Sequence, residues 1–180
     1  MRRVTGLVSA AAIVLFAAGL YAQGKDFTGK WTVDTDKTTA AAPAATAGGG
    51  GGGRGPGGGG GGMAGAITNI TQTATTLTIA RMGADGTAMG TPAVYNLDGS
   101  DSKIMQAGRG GGGGAAPAPT EVIANAKWDG ATLVITTKGA NGDTVAKYSM
   151  DGASLKIETT APGRGGAAGT PRTTFYKKAS

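Results

Sequence analysis

The chain has 180 residues, 36 of them glycine, no cysteine, no histidine and a formal net charge of +6. Without cysteine it can form no disulfide and carry no lipid-modified cysteine anchor. Without histidine it lacks the commonest general base and the commonest nitrogen ligand for a metal. Its length suits a single domain, and the glycines keep no triplet period, which excludes a collagen-like chain.

Residues 1–22 have the three-part pattern of a secretory signal peptide: Met1-Arg2-Arg3, a largely apolar run from Val4 to Leu20, and Ala22 before the cut. That run falls short of the roughly 20 residues needed to span a bilayer, and no later stretch is long and apolar enough. The expectation is an exported protein of the periplasm or extracellular space, with one β domain over 23–180 and no membrane span after cleavage. Loss of Arg2 and Arg3 leaves a mild surplus of scattered basic residues.

The first strand is expected over Phe27–Asp34, with Phe27, Gly29, Trp31 and Val33 on one face. Residues 38–65 are dominated by Ala, Pro and Gly, whose backbone entropy no packing can offset, and are read as a flexible insertion. Strands are then predicted over Ala66–Gln72, Thr75–Met82, Ala88–Leu97 and Ser102–Gln106. In the second of these, Leu77 and Ile79 share a face with Arg81, the period-2 alternation of a half-buried sheet. Pro92 indicates a bulge or an edge position in the third.

A second insertion covers 107–120. Next come Glu121–Trp128, Thr132–Lys138, Thr144–Met150 and Ser154–Thr160, separated by the turn dipeptides Asp129-Gly130, Asn141-Gly142 and Asp151-Gly152, which tolerate positive φ. A third insertion, 161–171, precedes a last strand over Thr173–Lys178. Thr76–Gly99 resembles Thr132–Gly152: Leu77 aligns with Leu133, Ile79 with Ile135, Tyr95 with Tyr148, and Asp98-Gly99 with Asp151-Gly152. The pattern predicts an all-β, antiparallel up-and-down barrel of about ten strands, its first strand beside its last. In such a meander the three glycine-rich insertions share one end, and closure removes exposed strand edges.

Gly29-Lys30-Trp31, opening the first strand of an all-antiparallel chain, resembles the Gly-x-Trp start of lipocalins and related calycin barrels. In that family the tryptophan closes the barrel floor beside a basic residue near the last strand. The resemblance implies a structural floor of Gly29 and Trp31, with Lys177 or Lys178 in place of the family's usual arginine. Asp26-Phe27-Thr28-Gly29-Lys30-Trp31 followed by a glycine-rich tract is also similar to uncharacterised secreted bacterial proteins, which implies export and a β fold.

The residues that could carry chemistry are few. Each insertion holds one arginine, Arg54, Arg109 or Arg164, with no interleaved aromatic, the composition of a solvated linker rather than of an RNA-binding segment. Asp34-x-Asp36 and Asp98-x-x-Asp101 lack the ligand count of a calcium loop and read as turn chemistry. Glu121 and Glu158 are the only glutamates, and nothing in the sequence places them together. The reading is therefore a non-enzymatic binding protein without metal or cofactor. Two roles are open: a barrel holding a small apolar or amphipathic ligand beneath Arg54, Arg109 and Arg164, or a pocketless module whose Arg/Gly-rich loops contact an anionic envelope polymer or a protein partner.

Overall fold

The computed structural model describes residues 25–40, 67–83, 85–106, 118–163 and 169–179. Residues 1–22 and most of the three glycine-rich insertions, with Arg54, Arg109 and Arg164, lie outside them. The described residues form strands β1 (Gly29–Val33), β2 (Ile67–Gln72), β3 (Thr76–Met82), β4 (Ala93–Asn96), β5 (Asp98–Gln106), β6 (Thr120–Asp129), β7 (Thr132–Thr137), β8 (Thr144–Asp151), β9 (Ser154–Thr160) and β10 (Arg172–Lys178), and a short helix α1 (Thr35–Ala40). All ten strands join one antiparallel sheet in the order β4-β3-β2-β1-β10-β9-β8-β7-β6-β5. This is the expected meander, wrapped into a nearly closed barrel by the pairing of β1 with β10.

Closure rests on a small cluster at the start of the barrel. Trp31 pairs with Lys178 across the β1–β10 ladder. The Lys178 ammonium sits 4.4 Å from the Trp31 ring centroid and donates to the Thr28 carbonyl at 2.7 Å. Gly29 lies beneath this side chain with φ +146°, and a Cβ there would run into Lys178 Nζ. The glycine is thus needed both for its backbone angle and for the close approach of the lysine. Lys177, the other basic candidate, pairs with Thr32 on the outer face and is exposed.

The internal resemblance is structural as well. Leu77 pairs with Tyr95 and Ile79 with Ala93 in the β3–β4 hairpin; Leu133 pairs with Tyr148 and Ile135 with Ala146 in β7–β8. Both connections turn through a glycine N–H donating three residues back, Gly86 to the Gly83 carbonyl at 3.0 Å and Gly142 to that of Gly139 at 3.1 Å.

Three expectations are corrected. Ala88–Leu97 is a strand only over Ala93–Asn96, Ala88 forming an isolated bridge with Met82; Pro92, which lacks the N–H a ladder needs, precedes the strand, and β4 is a sheet edge. Asp98-Gly99 is not a two-residue turn. It belongs to β5, where the register with β6 shifts between Asp98 and Asp101, Gly99 takes φ +87°, and Asn125 Nδ2 donates to the Gly99 carbonyl. The β4–β5 seam is bridged instead by side chains: the Asn96 N–H donates to Ser102 Oγ at 2.8 Å, and Asn96 Nδ2 to the Asp101 carbonyl at 3.2 Å.

The third correction is α1, which follows the first strand and takes residues 38–40 from the start of the expected first insertion. Asp34 caps it, its carboxylate accepting the Lys37 N–H at 3.1 Å. A helix of one and a half turns is not stable alone; this one packs on the outside of β10. It covers outward-facing Phe175, whose backbone N–H donates to Thr38 Oγ1 at 2.9 Å. Lys37 lies 4.6 Å above the Phe175 ring and 2.7 Å from the Asp151 carboxylate in the β8–β9 hairpin.

Gly29→Ala should lower stability by about 1–3 kcal/mol, through strain at a backbone angle only glycine adopts freely, read as a lower urea midpoint. Lys178→Met should cost about 0.5–2 kcal/mol in the native background but little once Gly29 is alanine. Strictly additive losses would show that the two residues do not act as one unit.

Candidate functional site

The ladders fix which residues face the barrel interior, because paired residues share a face and alternate residues change it. Starting from buried Trp31, the register carries the inner face through Thr68 and Ile70 on β2 to Leu77, Ile79 and Arg81 on β3, and on to Ala93 and Tyr95 on β4. In the other direction it runs through Arg172, Thr174, Tyr176 and Lys178 on β10, Leu155, Ile157 and Thr159 on β9, and Ala146 and Tyr148 on β8.

The lower end is plugged. Phe27 lies just before β1, yet its ring stacks on Trp128 of β6 at 5.7 Å and lies 6.2 Å from Tyr148 of β8. It therefore crosses the barrel rather than continuing the β1 strand. The Phe27 carbonyl accepts the Trp31 indole N–H at 2.8 Å, and the Gln72 side chain accepts the Phe27 N–H at 3.1 Å. Phe27, Trp31, Ile70, Leu77, Leu133 and Leu155 are all fully buried around this plug. Trp31 is fully buried among these residues, and Lys178, not Lys177, is the lysine beside it.

Above the floor the character changes. Tyr95, Tyr148 and Tyr176 form a belt, and beyond it the inner face mixes the short or polar Ala124, Ala146, Thr137, Thr144, Thr159 and Thr174 with the buried Ile104 and Ile135. Ile79, Tyr148, Ile157 and Tyr176 point inward but are only half-buried, so water reaches the inner face at this level.

The three phenols are electrostatically coupled. Burial pushes the Tyr148 phenol far above its ordinary value of 10.0, and the neighbouring Tyr95 and Tyr176 phenols push it the same way. Burial also raises Tyr95 and Tyr176. Arg81 acts against the shift in all three. Arg172 also faces inward, at the start of β10.

Arg81 and Arg172 were not among the expected site residues. The signal for Arg81 was present, since it is in phase with Leu77 and Ile79. Arg172 adjoins the third insertion, where only composition was legible. Of the acidic pairs read as turn chemistry, Asp34 caps α1 and Asp98 accepts the Ser100 N–H at 2.8 Å. Glu121 and Glu158 both face outward, beside Lys103 and Lys156 respectively.

No protein-family model and no curated protein matches this chain. The geometry is that of a barrel with an aromatic floor, three inward tyrosines and inward-facing arginines near its other end.

The phenols supply a pH test. Their folded values lie above the unfolded one, so they add stability that is complete below pH 10.0 and is lost as pH rises through the folded values. The urea midpoint should be flat up to that pH and fall beyond it, with a shallower fall in Tyr148→Phe. Arg81→Gln should delay phenolate formation, followed by near-ultraviolet absorbance, to still higher pH.

Proposed function

We propose that this chain is an exported binding protein whose barrel interior holds a small amphipathic molecule. The observation that carries the reading is the half-burial of inward-facing Ile79, Tyr148, Ile157 and Tyr176 above a fully buried floor. Apolar surface that faces a closed sheet's interior and still meets water is surface a ligand can cover, at about 25 cal/mol per Å² removed from water. The half-buried Ala146, Thr159 and Thr174 beside it are short and leave that surface reachable. A barrel of this size can be filled by its own side chains or hold one ligand, and inward-facing apolar residues that still meet water favour the second.

Export rests on the N-terminal pattern of Met1-Arg2-Arg3, the apolar run to Leu20, and Ala22. The periplasm or the extracellular space is the corresponding location. The alternative role, contact with an anionic envelope polymer or a protein through Arg54, Arg109 and Arg164, concerns residues outside those described and gains no support from the fold.

Ala146→Trp separates a wet interior from a packed one. In a wet interior the indole is accommodated, the urea midpoint stays near that of the parent protein, and fluorescence enhancement of the neutral probe N-phenylnaphthylamine is lost. In a packed interior the same change is overpacking and costs about 1–3 kcal/mol; that result, or unchanged probe binding, would overturn the reading.

A further inference from the structure

The charges of this chain are sorted by face. All of its aspartates and glutamates lie among the described residues, and none is on the inner face of the barrel. Those on strands point outward: Asp101, Glu121 and Glu158 pair across their ladders with outward-facing Asn125, Met105 and Lys147. The rest lie at turns, in α1 or at the ends of strands, where Asp85 accepts the Thr87 N–H at 2.9 Å and Asp143 meets Lys138 at 2.6 Å. The inner face, by contrast, carries three cations, Arg81, Arg172 and Lys178. Lys178 is committed to the Trp31 ring and the Thr28 carbonyl. Arg81 and Arg172 have no carboxylate partner among the described residues, as is also true of several outer lysines, but only the two arginines lie on a face that carries no acidic residue at all.

We propose that the molecule held in the barrel is a small organic anion, its acidic group taken by Arg81 and Arg172 and its apolar body resting on the tyrosine belt. This rests on the reading of the interior as a ligand site and adds the ligand's charge class. Arg81 and Arg172 are exposed, at the end of β3 and the start of β10, and two guanidinium groups facing the mouth of a barrel raise the local potential and attract anions from solution. Each offers a planar fork of donors that matches the oxygens of a carboxylate, sulfonate or phosphate. Arg81 is on the same inner face as Leu77, whose ladder partner is Tyr95. No hydrogen bond ties the Tyr95, Tyr148 and Tyr176 hydroxyls to another described residue, and among the described residues no buried side-chain polar atom is left unpartnered. The hydroxyls are therefore free to donate to the same anion.

The similar β7–β8 hairpin has no arginine at the corresponding place. Arg81 of β3 occupies the place that Thr137 occupies in β7, two residues beyond the equivalent Ile79 and Ile135. A hydroxyl suffices there for the sheet. The cation is present in one copy only, and it is the copy beside the belt's Tyr95.

The test uses two probes with one aromatic body, anilinonaphthalene sulfonate and neutral N-phenylnaphthylamine, titrated into the full chain. The sulfonate should bind at least about tenfold more tightly than the neutral probe, the scale of a charge-assisted hydrogen bond, and should weaken as salt is added. The double variant Arg81→Gln with Arg172→Gln should lose that advantage while still binding the neutral probe. Circular dichroism confirms that the variant is folded, and Arg81→Lys, which keeps the charge but loses the fork, should fall between. Equal affinity for the two probes in the parent protein, or a sulfonate affinity unmoved in the double variant, would overturn the anion assignment while leaving the interior site standing. Sulfonate binding that Ala146→Trp and the arginine changes both leave intact would place the probe outside the barrel and overturn both readings.

Discussion

The lysine that lies across Trp31 closes this protein. β1 is short, and at its end the chain leaves the sheet for α1, so few backbone hydrogen bonds join the first strand to the last. The Lys178 ammonium over the Trp31 ring, anchored to the Thr28 carbonyl, adds side-chain attraction where the ladder is thin. Gly29 is the condition for that contact. Above it, α1 continues the closure on the outside, with the Thr38 hydroxyl replacing a missing strand as partner of the Phe175 N–H. Without the β1–β10 joint the sheet would have no inside, and the sorting of residues between two faces would have no consequence.

Closure creates two environments from one alternating pattern. Outside, opposite charges meet in exposed pairs that contribute little to stability and much to solubility. Inside, the lower half is dry, with Phe27 crossing from β1 to Trp128 and Tyr148. Toward the other end, half-buried threonines and two exposed arginines share the inner face with buried Ala124 and Ile135. The tyrosines join apolar rings to polar hydroxyls, which suits a ligand with both characters.

The seam between β4 and β5 shows how the barrel tolerates a break. No backbone ladder joins these strands, although they are consecutive and lie side by side. Ser102, the one buried polar residue among the described ones, takes the Asn96 N–H in place of a backbone carbonyl. The bulge at Gly99 turns β5 so that it can pair with β6 while leaving β4 with β3.

Much of this architecture was legible in one dimension. Period-2 alternation, positive-φ dipeptides and a repeated hairpin specify an antiparallel meander, because side-chain direction and turn geometry are local properties. The repeat even placed Tyr95 and Tyr148 at equivalent heights. What local rules could not decide is where a residue finds its partner. Asp98-Gly99 carries the same turn signal as Asp151-Gly152, yet becomes a bulge because β4 is too short to form a ladder with β5. Lys177 and Lys178 are adjacent in sequence, and only the register with β1 turns one toward Trp31 and the other toward solvent. Arg81 was visibly in phase with an apolar face, but a single strand does not show that no carboxylate shares that face, or that three phenols from three other strands do. That information exists only once the barrel has closed, because long-range pairing sets which charges see one another.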